Sequence, residues 1–118
     1  PEGFEPAAEL LDQAQGYASI ENDPKRASEG AHLLVTDVWA SMGQEGEARM
    51  REQALSAYQL NQDLLDIADP EALSLHCLSA HRGEEITAEL MDNPNTVIWD
   101  EAENRLHAQK ALIEFLLR

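Results

Sequence analysis

Within one stretch of eight residues, His76-Cys77-Leu78-Ser79-Ala80-His81-Arg82-Gly83, stand the chain's single thiol, two imidazoles and a guanidinium. An apolar run, Leu73 to Leu78, leads into it and reads as a buried strand. Ligands of open α/β sheets sit outside the carboxyl ends of the strands. A thiol, an imidazole and a guanidinium at that point predict a site for a polar, anionic small molecule.

Two further clusters follow the same pattern. Thr36-Asp37-Val38-Trp39-Ala40-Ser41-Met42-Gly43 comes after the run Leu33 to Val35, and Asp100-Glu101-Ala102-Glu103-Asn104-Arg105 comes after Thr96 to Trp99. Each residue also has an ordinary reading. A free cysteine such as Cys77 is most often a small buried hydrophobe. Asp37 suits a turn after a strand. Arg105 suits a solvated i,i+4 pair with Glu101. Zinc on His76, Cys77 and His81 is disfavoured, because adjacent strand residues face opposite ways. Trp39 and Trp99 read as packing residues, and Glu45, Glu47, Glu84 and Glu85 as solvent-facing charge.

Taken in order, the three clusters resemble the second half of ornithine carbamoyltransferases. That half carries a D-x-x-x-S-M-G loop, an H-C-L-P-x-H/R segment and an E-N-R helix start. Here they stand at Asp37 to Gly43, His76 to His81 and Glu103 to Arg105, and the resemblance runs from Pro1 to Arg118. It implies an α/β fold of three layers, a small parallel sheet with helices on both faces, Rossmann-like. It implies ornithine and carbamoyl phosphate as substrates, with citrulline and phosphate as products. Cys77 and Arg105 take the catalytic positions. Asp37, Ser41, Met42 and the Leu78 backbone carbonyl take the substrate-binding ones. No metal and no cofactor are expected. Ser79 departs from the family, which has proline there, and so lacks that ring's restraint on φ.

The resemblance also shows what this stretch lacks. The family's carbamoyl-phosphate half, with its S-x-R-T-R loop and H-P-x-Q segment, is not in the chain. Residues 1–118 therefore read as one ornithine-binding domain, incomplete on its N-terminal side, inactive alone, and working as a homo-oligomer or with a carbamoyl-phosphate-binding half. The alternative is a non-catalytic amino-acid-binding or interaction module of the same fold. Putrescine is a third candidate amine, disfavoured by Ser41-Met42-Gly43.

The elements that must position these residues follow from pattern. Apolar positions at helical period predict a helix over Glu5 to Gln15, and Tyr17 to Ile20 reads as a short strand. Lys25 to Gly30 reads as a brief helix. Leu33, Leu34 and Val35 in a row predict a strand buried on both faces. Ser41 to Arg51 reads as a loop running into a helix. Asn61 is placed to cap a helix from Gln62 to Ala68. Glu84 to Met91 reads as a helix and Thr96 to Trp99 as a third parallel strand. The last helix, Glu101 to Leu117, has Asp100 and Glu103 at capping-box spacing and a broad apolar face that wants a partner.

With 23 acidic against 8 basic residues and a formal charge of -15, the chain is a poor match for nucleic acid or an anionic membrane. One cysteine forms no internal disulfide, which points to a reducing, cytoplasmic compartment.

Overall fold

The computed structural model describes residues 1–40, 43 and 45–118. The chain runs through α1 (Ala8–Gln13), α2 (Pro24–Ser28), β1 (Leu33–Thr36), a 3-10 turn (Glu45–Glu47), α3 (Ala48–Leu55), a second 3-10 turn (Ser56–Tyr58), α4 (Gln62–Asp66), β2 (Leu73–His76), α5 (Ala88–Met91) and α6 (Ile98–Leu116). The fold is α/β: a small parallel two-stranded sheet with helices. β1 and β2 pair from Leu33↔Leu73 to Thr36↔His76. The connection between them carries α3 and α4, which is what joining parallel strands requires.

Local chemistry explains the helix starts. Asp23 accepts the Lys25 N–H at 3.0 Å, and Pro24 opens α2 with its preset φ. The Asn61 side chain accepts the Leu64 N–H at 3.1 Å and caps α4 as expected. The core is made by Leu34, Leu60, Leu64, Leu65, Ala72, Ile86, Leu90, Met91 and Ile98. α2 packs against α4, and α6 against β2.

Several elements differ from the sequence expectation. Thr96 to Trp99 is not a third strand. Thr96 makes one parallel bridge with Ser74, the Val97 N–H bonds the Ser74 carbonyl at 2.9 Å, and α6 begins at Ile98. Four apolar or β-branched residues are too few for periodicity to separate strand from helix. Asp100 and Glu101 then favour the helix by standing in its first turn. Asp100 and Glu103 both lie inside α6, whose N-cap is Val97, so they form no capping box.

Tyr17 to Ile20 is not a strand either, and Tyr17 is almost fully exposed. Only Ala88–Met91 of the expected 84–91 helix forms. The backbone just before it is committed elsewhere: the Leu60 N–H bonds the Glu85 carbonyl at 2.8 Å, and the Thr87 N–H bonds the Leu60 carbonyl at 3.0 Å. β1 is buried on one face only, since Leu33 and Val35 are exposed and Leu34 is not. Beyond its first turn α6 leaves Leu106, Leu112, Ile113, Phe115 and Leu116 exposed. Its broad apolar face is uncovered by any described residue. No described helix is long and apolar enough to cross a membrane.

Candidate functional site

β1 ends at Thr36 and β2 at His76, and the two strands are parallel and in register. Asp37 and Cys77 therefore emerge side by side at one edge of the sheet. The Cys77 thiol donates to Asp37 Oδ1 at 3.2 Å, and the Val38 N–H donates to the same oxygen at 2.7 Å. Arg105 reaches this edge from α6. Ile98 is fully buried in the first turn of that helix, which fixes the helix on β2. Arg105 stands seven residues on, on the same helical face, two turns further along. Its Nη1 donates to the Cys77 carbonyl at 3.4 Å.

Leu78 comes next. Its φ is +56°, and the Leu78–Ser79 peptide bond is cis. The Leu78 N–H donates to His76 Nδ1 at 2.9 Å, so that nitrogen carries no proton and Nε2 does. His76 Nε2 then donates to Glu85 Oε1 at 3.0 Å. The same oxygen accepts the His81 N–H at 2.6 Å. His76 and Glu85 are both completely buried.

Glu85 is the residue that sequence reasoning placed wrongly, among the solvent-facing charges. It is indistinguishable from its neighbour Glu84 as a letter. The pairing of Glu85 and Ile86 with Leu60 turns one carboxylate inward and leaves the other out. Arg82 also differs from the opening expectation. Its guanidinium is held by Asp92 through two bonds of 3.1 Å, so the guanidinium at the Cys77 edge is that of Arg105. His81 stays exposed, with Nδ1 at 3.6 Å from Glu84. Trp99 is half exposed rather than packed. Ser41 and Met42 lie outside the described residues.

Donor atoms of Asp37, His76 and Cys77 lie within 4.8 Å of one another, as do those of His81, Glu84 and Glu85. A zinc set of His76, Cys77 and His81 would have to break one of the two His76 bonds, because both ring nitrogens are engaged. Cavities of about 250, 240 and 470 Å³ are lined by other residues, the first along Leu33 to Thr36. The Asp37–Cys77–Arg105 edge is thus an open surface rather than one of these pockets.

The electrostatics of the edge are acidic. The Cys77 thiol is pushed above its ordinary pKa, first by its hydrogen bond to Asp37, then by partial burial and by the charges of Asp37 and Glu101. Ionising it would set a thiolate against a carboxylate, so at neutral pH it is a thiol. An alkylation experiment reads this directly. Cys77 should react slowly with iodoacetamide at pH 8. Asp37→Asn removes the neighbouring charge, lowers the thiol pKa and should speed the reaction several-fold; an unchanged or slower rate would contradict the account. Glu101 Oε2 is buried without a hydrogen-bond partner among the described residues. The carboxylates of Asp37 and Glu101 beside the Cys77 thiol suit an amine. The Arg105 fork suits a carbonyl or phosphate oxygen.

Comparisons with known proteins agree with this arrangement. Residues 1–116 match the family described as aspartate/ornithine carbamoyltransferase, Asp/Orn binding domain. The ornithine carbamoyltransferase of Psychrobacter sp. (strain PRwf-1) is 56% identical over 118 residues, which is all of this chain and 39% of that protein. The anabolic ornithine carbamoyltransferase of Pseudomonas aeruginosa is 56% identical over 117 residues, 99% of this chain and 38% of that one. Among solved structures, ornithine carbamoyltransferase from Pyrococcus furiosus superimposes with a TM-score of 0.86 at 47% identity, covering 96% of this chain and 38% of that one. The chain thus spans about 39% of the length of the curated relatives it matches. By its motifs, its strand-end geometry and these likenesses, the chain belongs to the aspartate/ornithine carbamoyltransferase family, in that family's Asp/Orn-binding domain.

Proposed function

We propose that this chain is the ornithine-binding half of an ornithine carbamoyltransferase, transferring the carbamoyl group of carbamoyl phosphate to ornithine. The observation that carries the reading is the contact chain Asp37–Cys77–Arg105, with links of 3.2 and 3.4 Å, on one edge of a parallel sheet. The uncharged δ-amine attacks the carbamoyl carbon. A C–N bond forms, the bond from that carbon to the phosphate oxygen breaks, phosphate leaves, and the nitrogen loses a proton. Asp37 orients an amine, the Cys77 thiol and the Leu78 carbonyl hold the δ-amine, and Arg105 receives the oxygen on which charge develops. Ser41 and Met42 meet the amino-acid end of ornithine. Cys77 acts as a neutral thiol, with no covalent intermediate, in keeping with its raised pKa.

The carbamoyl-phosphate-binding half comes from elsewhere, in the same polypeptide or in a partner, within a homo-oligomer in the cytoplasm. A phosphate dianion needs several convergent donors. Against a net charge of -15, Arg105 alone does not supply them.

The test is a graft. Residues 1–118 replace the matched segment of the Psychrobacter enzyme, and citrulline is measured. Turnover with ornithine is expected, with putrescine used poorly, and no citrulline from the 118-residue chain alone. A folded graft that binds ornithine without turnover would favour the non-catalytic amino-acid-binding module. One that neither binds nor turns over would end both readings.

A further inference from the structure

We infer that Glu85 is a positioning residue, acting through His76 to hold the Cys77–Leu78 turn whose carbonyl faces the amine. The inference begins with an unusual backbone. A leucine at φ +56° adopts a conformation that L residues with a Cβ disfavour. Such a conformation persists where surrounding contacts over-determine it. The contact here is the 2.9 Å bond from the Leu78 N–H to His76 Nδ1. That bond exists only while Nδ1 is unprotonated, so it needs the tautomer with its proton on Nε2.

Glu85 selects that tautomer. Its Oε1 stands 3.0 Å from Nε2 and, being a carboxylate oxygen, only accepts. The carboxylate is in turn fixed by the His81 N–H at 2.6 Å, from the far end of the same turn. Residues 76 to 81 are thus closed on themselves through one buried acid. The backbone holding Glu85 is independently anchored, because the Leu60 N–H takes the Glu85 carbonyl. Burying a carboxylate is costly unless it is hydrogen-bonded, and a purely apolar side chain would fill this volume at less cost. What an acid adds is the choice of imidazole tautomer.

That the Leu78 carbonyl meets an amine rests on the function proposed above; the relay itself does not. The experiment uses the ¹⁵N-labelled 118-residue chain. Imidazole nitrogen spectra report the His76 tautomer, and hydrogen exchange reports the Leu78 amide. The wild-type chain should show the Nε2–H form and a protected Leu78. Glu85→Ala should release the tautomer and speed Leu78 exchange by at least about tenfold. Glu85→Gln should restore both. Its amide oxygen can accept the same two N–H groups, and its NH₂ would point toward His81 Nδ1, which lies 3.9 Å from Glu85 Oε2.

His76→Asn places an amide oxygen where Nδ1 stood and should keep Leu78 protected. In that background Glu85→Ala should add much less to Leu78 exchange than it does in the wild-type chain. Only the share carried by the His81 N–H contact remains, because the larger part acts through the ring. Should Glu85→Ala fail to fold, Glu85→Gln and His76→Asn still decide. A Gln variant with a free tautomer, or an Asn variant with a fast Leu78, overturns the inference. So does a folded Glu85→Ala chain whose Leu78 exchanges at the wild-type rate. An intact relay in a graft that makes no citrulline would sink the proposed function and leave the relay standing.

Discussion

Replacing Arg105 by alanine in the grafted enzyme is expected to lower citrulline formation by about 10²–10³-fold, the loss typical of removing one donor to a developing oxyanion. The size follows from the lack of a substitute on this edge. Among the described residues Arg82 is held by Asp92 and Arg51 by Glu47. Arg105 is bonded to the Cys77 carbonyl, one residue past the end of β2, whereas Arg51 reaches only the Trp39 carbonyl, three residues past the end of β1. Arg105→Lys should recover little, because an ammonium lacks the planar fork that serves a substrate oxygen and the carbonyl together. Steady-state kinetics at saturating ornithine check this. A loss of less than about threefold for Arg105→Ala would remove Arg105 from the machinery and leave it the surface partner that sequence alone allows.

Ile98→Asp should unfold the isolated chain. Ile98 is fully buried at the point where α6 leaves the core. Truncating such a residue to alanine costs about 2–5 kcal/mol, and an unpaired buried carboxylate adds to that. Domain stabilities are only about 5–15 kcal/mol, and this core is small. Loss of amide dispersion and of the cooperative thermal transition is the expected result. The variant would also lose the geometry of the site, since Ile98 holds the helix that carries Arg105. A cooperative transition within a few degrees of wild type would show that α6 is anchored otherwise.

The candidate site was more legible in the sequence than the elements around it. Asp37 and Cys77 each follow an apolar run, and parallel strands leave no choice but to bring their ends together. Arg105 was legible by motif, although its supposed strand is a helix start. The edge survives that change because Ile98 and Arg105 share a helical face. Burial was harder to read. Val35 sits in an apolar run and is exposed, because it projects from the face of β1 opposite the core that buries Leu34. Glu85 sits in a charged run and is buried, because the Leu60 pairing, contributed from 25 residues away, decides which of two adjacent glutamates turns inward. Such partners, distant in the chain, leave no local trace. The orientation of Arg82 toward Asp92 has the same cause.

The central claim is that this chain supplies the ornithine-binding side of the reaction, with Arg105 as its one contribution on the carbamoyl oxygen. Separate Michaelis constants for the two substrates in an Asp37→Asn graft test it most directly. The account predicts that KM for ornithine rises at least about tenfold, the effect of losing one charge-assisted contact, while KM for carbamoyl phosphate stays within about twofold. An unchanged ornithine KM, or a rise confined to carbamoyl phosphate, would contradict it.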